Sequence, residues 1–557
     1  GKRVQGGSTI TQQLVKNSLL TPERTIKRKI KELVLAIRLE RQFSKDEILG
    51  FYLNQIPYGS NAYGIESASQ TFFAKPAKEL TLEEAALLAA LPKAPSYFSP
   101  FGSHTDELKK RQEYILDRMA EAGFIKKEEA ENAKNKKLSF ASRDFGSLIR
   151  APHFVIQIKE ILEKTYGPDV VETGGLKVIT TLDWKAQEIA ERAVKEGALA
   201  NDVNWQAGNA AMVVQDAKTG EILAWVGARG GFQDKPKPAG CEPGVNCKFE
   251  PYVNAPLRLR QPGSAFKPFV YVSAFKKGYT PDTVIFDVPT EFTPNHPLCP
   301  TIPDFSNELD VCYHPKNYDE KFRGPVTLRK ALAQSLNVPS VKVLYLAGVA
   351  ESIKTAQDFG ITTLTESPNF YGLSLVLGGG GVRLDELVNA YAVFAQDGIW
   401  RPQINILRVE DASGRVLQEA KTQQKRVIDA QYARLINDIL SDDQARVPAF
   451  QPGGPLTLPD RKVAAKTGTS QDYRDAWIIG YTPSVVAGVW VGNNDNRPMI
   501  KGGAGVMAAA PIWRAFMEEY LKNSPQEDFV KPEPVSATKP VLNGEYIVDY
   551  GGPQIHS

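Results

Sequence analysis

Between Thr21 and about Lys134 the apolar positions recur at helical spacing. Ile26, Ile30, Leu33 and Ile37 share one face of a predicted helix, and Thr21 and Pro22 ahead of it are N-cap and first-turn types. Arg28 and Glu32 stand four residues apart on the face away from that stripe, the spacing of a surface ion pair worth well under about 1 kcal/mol. Ser44 with Glu47 and Thr81 with Glu84 each match the capping box that opens a helix. These signals predict an all-α region over residues 1–148.

The period changes further along. Around residues 149–206 an amphipathic helix gives way to KVITTLD, a β-branched run that reads as a strand before another helix, a small α/β connector. AAMVVQDAKTGEILAWVG then reads as two strands about a turn, a pattern echoed by EDASGRVL near residue 410. Helical stretches such as VTLRKALAQSLN alternate with strands such as DAWIIGYTPSVVAGVWVG. That mixture predicts an α+β domain over 207–522, an antiparallel sheet flanked by helices. From 523 to 557 the chain is Pro-rich and reads as a tail.

Composition adds limits. The 557 residues are 42% hydrophobic and 24% charged with a net charge of +3, ordinary globular material with enough length for several domains. That charge carries no nucleic-acid footprint, and the cluster Lys27, Arg28, Lys29 and Lys31 reads as a solvated helix face. No apolar run reaches the roughly 18 residues of a membrane span. The first residue is Gly and no signal peptide precedes it, so the chain reads as mature or as lacking its N-terminus.

All four cysteines (Cys241, Cys247, Cys299, Cys312) lie in one segment, an even, clustered set that suits two disulfides in an oxidising compartment, with three pairings open. His296 and His314 beside them leave a metal site as the competing reading, although no CxxC spacing supports zinc.

Candidate chemistry concentrates in three stretches. RQPGSAFKPF sets Ser264 three residues before Lys267. If a helix begins there, the two share a face, the amine can reach the hydroxyl, and helix N–H groups stand ready for an oxyanion. AQSLNVPS supplies Ser335 and Asn337, and VAAKTGTSQDYRDAW supplies Lys466, Thr467, Gly468 and Thr469. The last reads as a strand bearing a cation and two hydroxyls, with a glycine that lets a substrate backbone come close. Each stretch alone is a common cap, turn or surface charge. A Ser-His-Asp hydrolase is disfavoured by five histidines and no G-x-S-x-G around Ser264.

Together, in this order, the three stretches resemble the signature of the serine penicillin-recognising enzymes. By that resemblance Ser264 is the acylated nucleophile and Lys267 its base. A free lysine titrates near about 10.4, so burial and the Lys466 charge have to lower Lys267 by several units. Ser335 relays a proton between Lys466 and the leaving amine, and Asn337 orients the substrate amide. Lys466, Thr467 and Thr469 hold the terminal carboxylate of a D-Ala-D-Ala peptide, with Gly468 between them. The N–H groups of Ser264 and Thr469 form the oxyanion hole. No cofactor is implied for this half.

The opening GGSTITQQLVKN, then RKIKE, then SKDEILGFYLNQIPYGSNAYGIESASQTFFAK and LTLEEAALLAALPKAPS resemble later motifs of the lysozyme-like glycosyltransferase domain of class A penicillin-binding proteins. That resemblance implies that Thr9, Gln13, Lys16, Arg28 and Lys29 contact the pyrophosphates and sugars of a lipid-linked donor and that Glu32 assists on the donor side. Asn54 falls in a mainly structural motif. For the glycosyltransferase of an intact parent the resemblance leaves a divalent cation open.

The family's first motif, with its general base, and its membrane anchor precede GGST. Here only GKRVQ does. The expectation is a truncated class A penicillin-binding protein whose parent polymerises lipid II and cross-links stem peptides on the outer face of the bacterial cytoplasmic membrane. On that expectation β-lactams are covalent inhibitors and glycan polymerisation is lost in this chain. A β-lactam hydrolase or D,D-carboxypeptidase using the same Ser/Lys set is the alternative. A non-catalytic wall-binding scaffold is disfavoured by the intact Ser264, Lys267 and Lys466.

Overall fold

The protein was described from a computed structural model, covering residues 8–19, 26–59, 62–95, 98, 100, 105–136, 138, 140, 149–307, 309 and 311–545. Gly6, Gly7, Thr21 and Pro22, which the sequence reading used, lie outside the described residues. The chain divides into two compact units, 1–144 and 145–557.

The first unit is helical. Its described elements are α1 (Ile10–Leu19), α2 (Ile26–Gln42), α3 (Lys45–Gln55), α4 (Ile65–Phe73), α5 (Leu82–Ala90), α6 (Thr105–Glu121) and α7 (Lys127–Asn135), with a small hairpin pairing Pro57–Gly59 to Ala62–Tyr63. Both predicted capping boxes form, Ser44 with Glu47 at α3 and Thr81 with Glu84 at α5. The core gathers Tyr58, Phe72, Leu88 and Leu91.

One expectation about α2 is reversed. Ile30 is 59% exposed, and Leu33 and Ile37 are exposed with it, whereas Glu32 is only 1% exposed and Ala36 is buried. Glu32 can face inward because it has partners, whereas Glu40 further along the helix stays exposed. Arg28 and Lys29 meet Glu32, and Thr11 of α1 donates to Glu40 at 2.6 Å. A paired charge tolerates burial that a lone one does not. The Arg28–Glu32 pair is therefore not a surface pair.

The second unit is built on a five-stranded antiparallel sheet. After helix α8 (Pro152–Tyr166), strand β1 (Lys177–Thr180) and helix α9 (Trp184–Trp205) come β2 (Asn209–Asp216) and β3 (Ile222–Val226), the predicted hairpin. Helices α10 (Lys267–Lys276), α11 (Asn337–Ala347) and α12 (Leu384–Ala395) follow. Strands β4 (Ile406–Glu410) and β5 (Val416–Glu419) form the second predicted hairpin. Then come helix α13 (Ala430–Leu440), strands β6 (Ala464–Thr469), β7 (Asp475–Tyr481) and β8 (Val485–Gly492), and helix α14 (Ala510–Tyr520).

The main sheet runs β6-β7-β8-β2-β3, so the strand carrying Lys466 is an edge. Alternate side chains enter two cores, as the two-residue period of a strand requires. Val213, Trp477, Ile479 and Trp490 join the core that contains α10 and α12. Met212, Val214, Ile478 and Val489 join the one that contains α9 and α14. Both faces are covered, which explains the continuous apolar runs of β7 and β8.

The connector and the Pro-rich tail are both tied into this unit. In the connector, β1 pairs with β4 and α9 packs on β2 and β3. The Pro-rich segment is pinned along its described length. Lys218 meets Glu527 at 2.6 Å, the Phe529 ring packs edge-on to Tyr481, Gln431 and Glu533 exchange two hydrogen bonds, and Thr280 and Thr283 both donate to the carbonyl of Leu542. Proline denies the segment a ladder, so side chains hold it instead. The cysteines form Cys241–Cys247 and Cys299–Cys312. Beside the second, His314 Nδ1 meets Glu291 at 2.7 Å, and His296 Nδ1 accepts from the backbone N–H of Leu298.

Candidate active site

Ser264 lies in a 3-10 turn, Gly263–Phe266, that runs into α10 at Lys267. Pro262 ahead of the turn and Pro268 at the first turn of the helix suit a start where backbone N–H groups have no helical acceptor. Tyr391 of α12 pins the turn by donating to the carbonyl of Ala265 at 2.7 Å, and Trp477 Nε1 donates to the carbonyl of Gln261 at 2.7 Å.

The edge strand β6 lies directly against this turn. A methyl group on Gly468 would fall 2.0 Å from the carbonyl oxygen of Pro262 and 3.1 Å from the N–H nitrogen of Ala265. One on Gly263, whose φ is +55°, would fall 2.3 Å from the carbonyl oxygen of Thr469. Two backbones meet here with room for hydrogen only, which is why glycine stands at both positions. Thr469 is fixed from behind, its hydroxyl accepting the N–H of Gly505 at 3.1 Å.

The three motifs converge. Lys267, with 0% exposure, donates to the carbonyls of Ser335 at 2.7 Å and Leu336 at 3.1 Å and to Asn337 Oδ1 at 2.9 Å, and lies 3.4 Å from Ser335 Oγ. Lys466, 3% exposed, donates to Ser335 Oγ at 2.8 Å and to the carbonyl of Thr467 at 2.9 Å. Two amines thus address one hydroxyl. Ser335 adopts φ +59°, a left-handed conformation that costs a non-glycine residue energy and turns its side chain between them.

One expected contact is absent. Among the described residues Ser264 Oγ makes no hydrogen bond, and the Lys267 amine faces the 335–337 turn instead. Two carbonyls and an amide oxygen offer the amine three acceptors on that side, against one hydroxyl at Ser264.

Burial sets the electrostatics. Loss of solvent, and then the Lys466 charge, push Lys267 well below the usual lysine range. Burial, with the Arg446 guanidinium nearby, brings Lys466 down to about 7. Arg446 is itself buried, held by Asp443 and by the carbonyls of Leu440 and Leu456. An amine near neutrality can both take and give a proton at physiological pH.

Sequence reasoning missed Arg446, Tyr391 and, above all, Asn317, which accepts the N–H of Asn337 at 2.8 Å. None carries a local motif, because each reaches the site from a distant element. A polar cavity of about 710 Å³ flanks the region, lined by Arg258, Gln261, Asp472, Arg474 and Asn494 among others. Its lining includes neither Ser264 nor the two lysines.

In the first unit α1 and α2 bring part of the predicted set together. Glu32 receives Arg28 at 2.9 Å and Lys29 at 2.5 Å, Lys29 also donates to Ser8 Oγ at 2.8 Å, and Gln13 is tied to the Ser8 carbonyl and to the Tyr52 hydroxyl. Thr9 and Lys16 are exposed on the same helix end and body. Asn54 Nδ2 donates to the carbonyl of Gly50 within α3, a structural contact.

An edge strand with Lys-Thr-Gly-Thr, a serine at a helix entrance and a Ser-x-Asn turn meeting over two buried lysines define a penicillin-recognising transpeptidase domain. Comparison with known proteins agrees. The Transglycosylase family matches residues 1–120, and the family described as Penicillin binding protein transpeptidase domain matches residues 210–518. The chain is 38% identical to penicillin-binding protein 2D of Bacillus subtilis over 96% of its own length and 73% of that protein. It is 34% identical to penicillin-binding protein 1A of Aquifex aeolicus over 96% of its length and 79% of that protein. The structure of penicillin-binding protein 1A from Haemophilus influenzae superimposes with a TM-score of 0.63 at 22% identity, covering 94% of this chain and 89% of that one, a likeness of fold. The chain belongs to the class A, bifunctional penicillin-binding proteins. It is a peptidoglycan-synthesising enzyme with transglycosylase and transpeptidase domains.

Proposed function

We propose that the second unit cross-links peptidoglycan as a serine D,D-transpeptidase through an acyl-enzyme on Ser264. The convergence of Lys267, Ser335 and Lys466 on one turn beside Ser264 carries this reading. Neutral Lys267 takes the proton of Ser264 as its oxygen adds to the penultimate D-Ala carbonyl. The oxyanion is received by the N–H groups of Ser264 and Thr469, each donor worth about 3 kcal/mol. On collapse the C–N bond breaks and Ser335 protonates the departing D-Ala amine while Lys466 reprotonates Ser335. The acceptor amine of a second stem peptide then attacks the ester and returns its proton to Lys466 through Ser335, while Lys267 returns its own to the Ser264 oxygen.

Lys466, Thr467 and Thr469 take the terminal carboxylate, whose charge holds Lys466 in the ammonium form that the relay starts from. Asn337 orients the substrate amide, and Gly468 lets the peptide lie along the open edge of β6. The base, relay and oxyanion donors are all protein groups, so this step calls on no metal or organic cofactor. In the first unit Arg28, Lys29, Thr9, Gln13 and Lys16 take the pyrophosphates and sugars of lipid II, with Glu32 gathering the two cations. The two disulfides support an extracytoplasmic site of action, at the outer face of the cytoplasmic membrane. Among the described residues no helix is long and apolar enough to cross a membrane.

A fluorescent penicillin tests the reading. Covalent labelling of the wild type that disappears in Ser264→Ala supports it, and labelling retained in that variant overturns it.

A further inference from the structure

Asn337 is gripped from two directions by consecutive residues of one loop. Lys316 accepts Asn337 Nδ2 at its carbonyl at 2.8 Å, which leaves Asn337 Oδ1 facing the Lys267 amine at 2.9 Å. Asn317, 3% exposed, accepts the backbone N–H of Asn337 at 2.8 Å and that of Val338 at 3.4 Å. These are the first N–H groups of α11, which have no acceptor within the helix.

The Asn317 amide is itself locked. Its Nδ2 lies 2.9 Å from each oxygen of the buried Asp287 carboxylate and donates to the Lys321 carbonyl at 2.8 Å. Turning it over would set its oxygen against a carboxylate and a carbonyl, and its NH₂ against two N–H groups. Every contact would become repulsive. Asp287 is also held by the N–H of Arg323 at 3.0 Å, so the lock does not depend on Asn317 alone.

We propose that Asn317, oriented by Asp287, is a positioning residue for acylation: it fixes the Ser335–Asn337 turn and thereby the direction of the Lys267 amine. The inference rests on the acyl-enzyme reading above. The turn needs such a hold because Ser335 sits in a left-handed conformation that relaxes if the start of α11 is released. All four contacts that aim the Lys267 amine come from residues 335–337, so a shift there moves the base. Asn317 touches neither amine nor nucleophile in the hydrogen-bond network and acts through the backbone of Asn337 and Val338.

Stopped-flow acylation by a fluorescent penicillin separates the non-covalent binding constant from the acylation rate constant. Asn317→Ala and Asp287→Asn should each lower the rate constant by roughly ten- to a hundredfold, the scale of a misplaced catalytic group, with the binding constant changed less than about threefold. Asn317→Asp should lose at least as much, because two carboxylates then face each other. Adding Asp287→Asn to it, which exchanges amide and carboxylate, should regain at least about half of that loss on a logarithmic scale.

If Asn317→Ala fails to fold, the Asp287 variant and the exchange carry the test. Wild-type rate constants in the folded variants, or no recovery in the exchange, would overturn the inference while leaving a labelled Ser264 intact. An unlabelled wild type would overturn the acyl-enzyme reading and this one with it.

Discussion

Lys466 donates to the hydroxyl of Ser335 at 2.8 Å across a separation of 131 residues, and the same hydroxyl lies 3.4 Å from the amine of Lys267. Burial makes charge costly on both amines; the Lys466 charge adds to the lowering of Lys267, and the Arg446 guanidinium to that of Lys466.

Replacing Lys267 by Met removes the proposed base and keeps its volume. Acylation by penicillin should slow by about a hundredfold or more, the usual worth of a general base. Thermal unfolding should shift down, because the carbonyls of Ser335 and Leu336 and the amide oxygen of Asn337 lose their donor. Rapid acylation by this variant would assign the base elsewhere.

Stability should depend on pH in a definite direction. Burial lowers Lys466 to about 7 and Lys267 well below its ordinary value, so above neutrality the unfolded chain binds more protons than the folded one. Stability therefore rises as pH goes from about 7 toward 10, where unfolded lysine titrates, and the contribution of Lys466 fades below its folded value. Urea midpoints across pH 7–9.5 check the sign, and Lys466→Met should reduce the slope.

Gly468→Ala puts a methyl group 2.0 Å from the Pro262 carbonyl, with backbone on both sides. Either β6 or the Ser264 turn has to move. An unfolding cost of about 1–3 kcal/mol is expected, with a fall in acylation rate larger than at an equally buried site away from the turn. Urea denaturation and labelling kinetics on one preparation measure both.

Peptide mapping without reduction should recover Cys241 joined to Cys247 and Cys299 joined to Cys312. Cys299→Ser with Cys312→Ser should destabilise by about 3 kcal/mol if the loop unfolds with the domain, from closure of a loop of that length. Any crossed pairing would contradict the described loops.

Much of this was legible in the chain. The hairpins at 209–226 and 406–419, the capping boxes at Ser44 and Thr81, and the three short motifs all depend on neighbours within a few residues, where sequence and structure are closely coupled. What escaped depends on partners far away. The stripe of α2 pointed to the wrong face: Glu32, paired with Arg28 and Lys29, is buried, and Ile30 and Leu33 are exposed. The Pro-rich segment looked free because its anchors, Thr280, Lys218 and Gln431, are scattered along the chain. The amine of Lys267 was expected on Ser264 from helical spacing alone, and the carbonyls that capture it come from residues 335 and 336.

The most direct measurement is mass mapping of the penicillin-treated protein after proteolysis. One stoichiometric adduct is expected, on the peptide containing Ser264, absent in Ser264→Ala and formed slowly in Lys267→Met. An adduct on any other residue, or an unmodified Ser264 in folded protein, would contradict the acyl-enzyme reading.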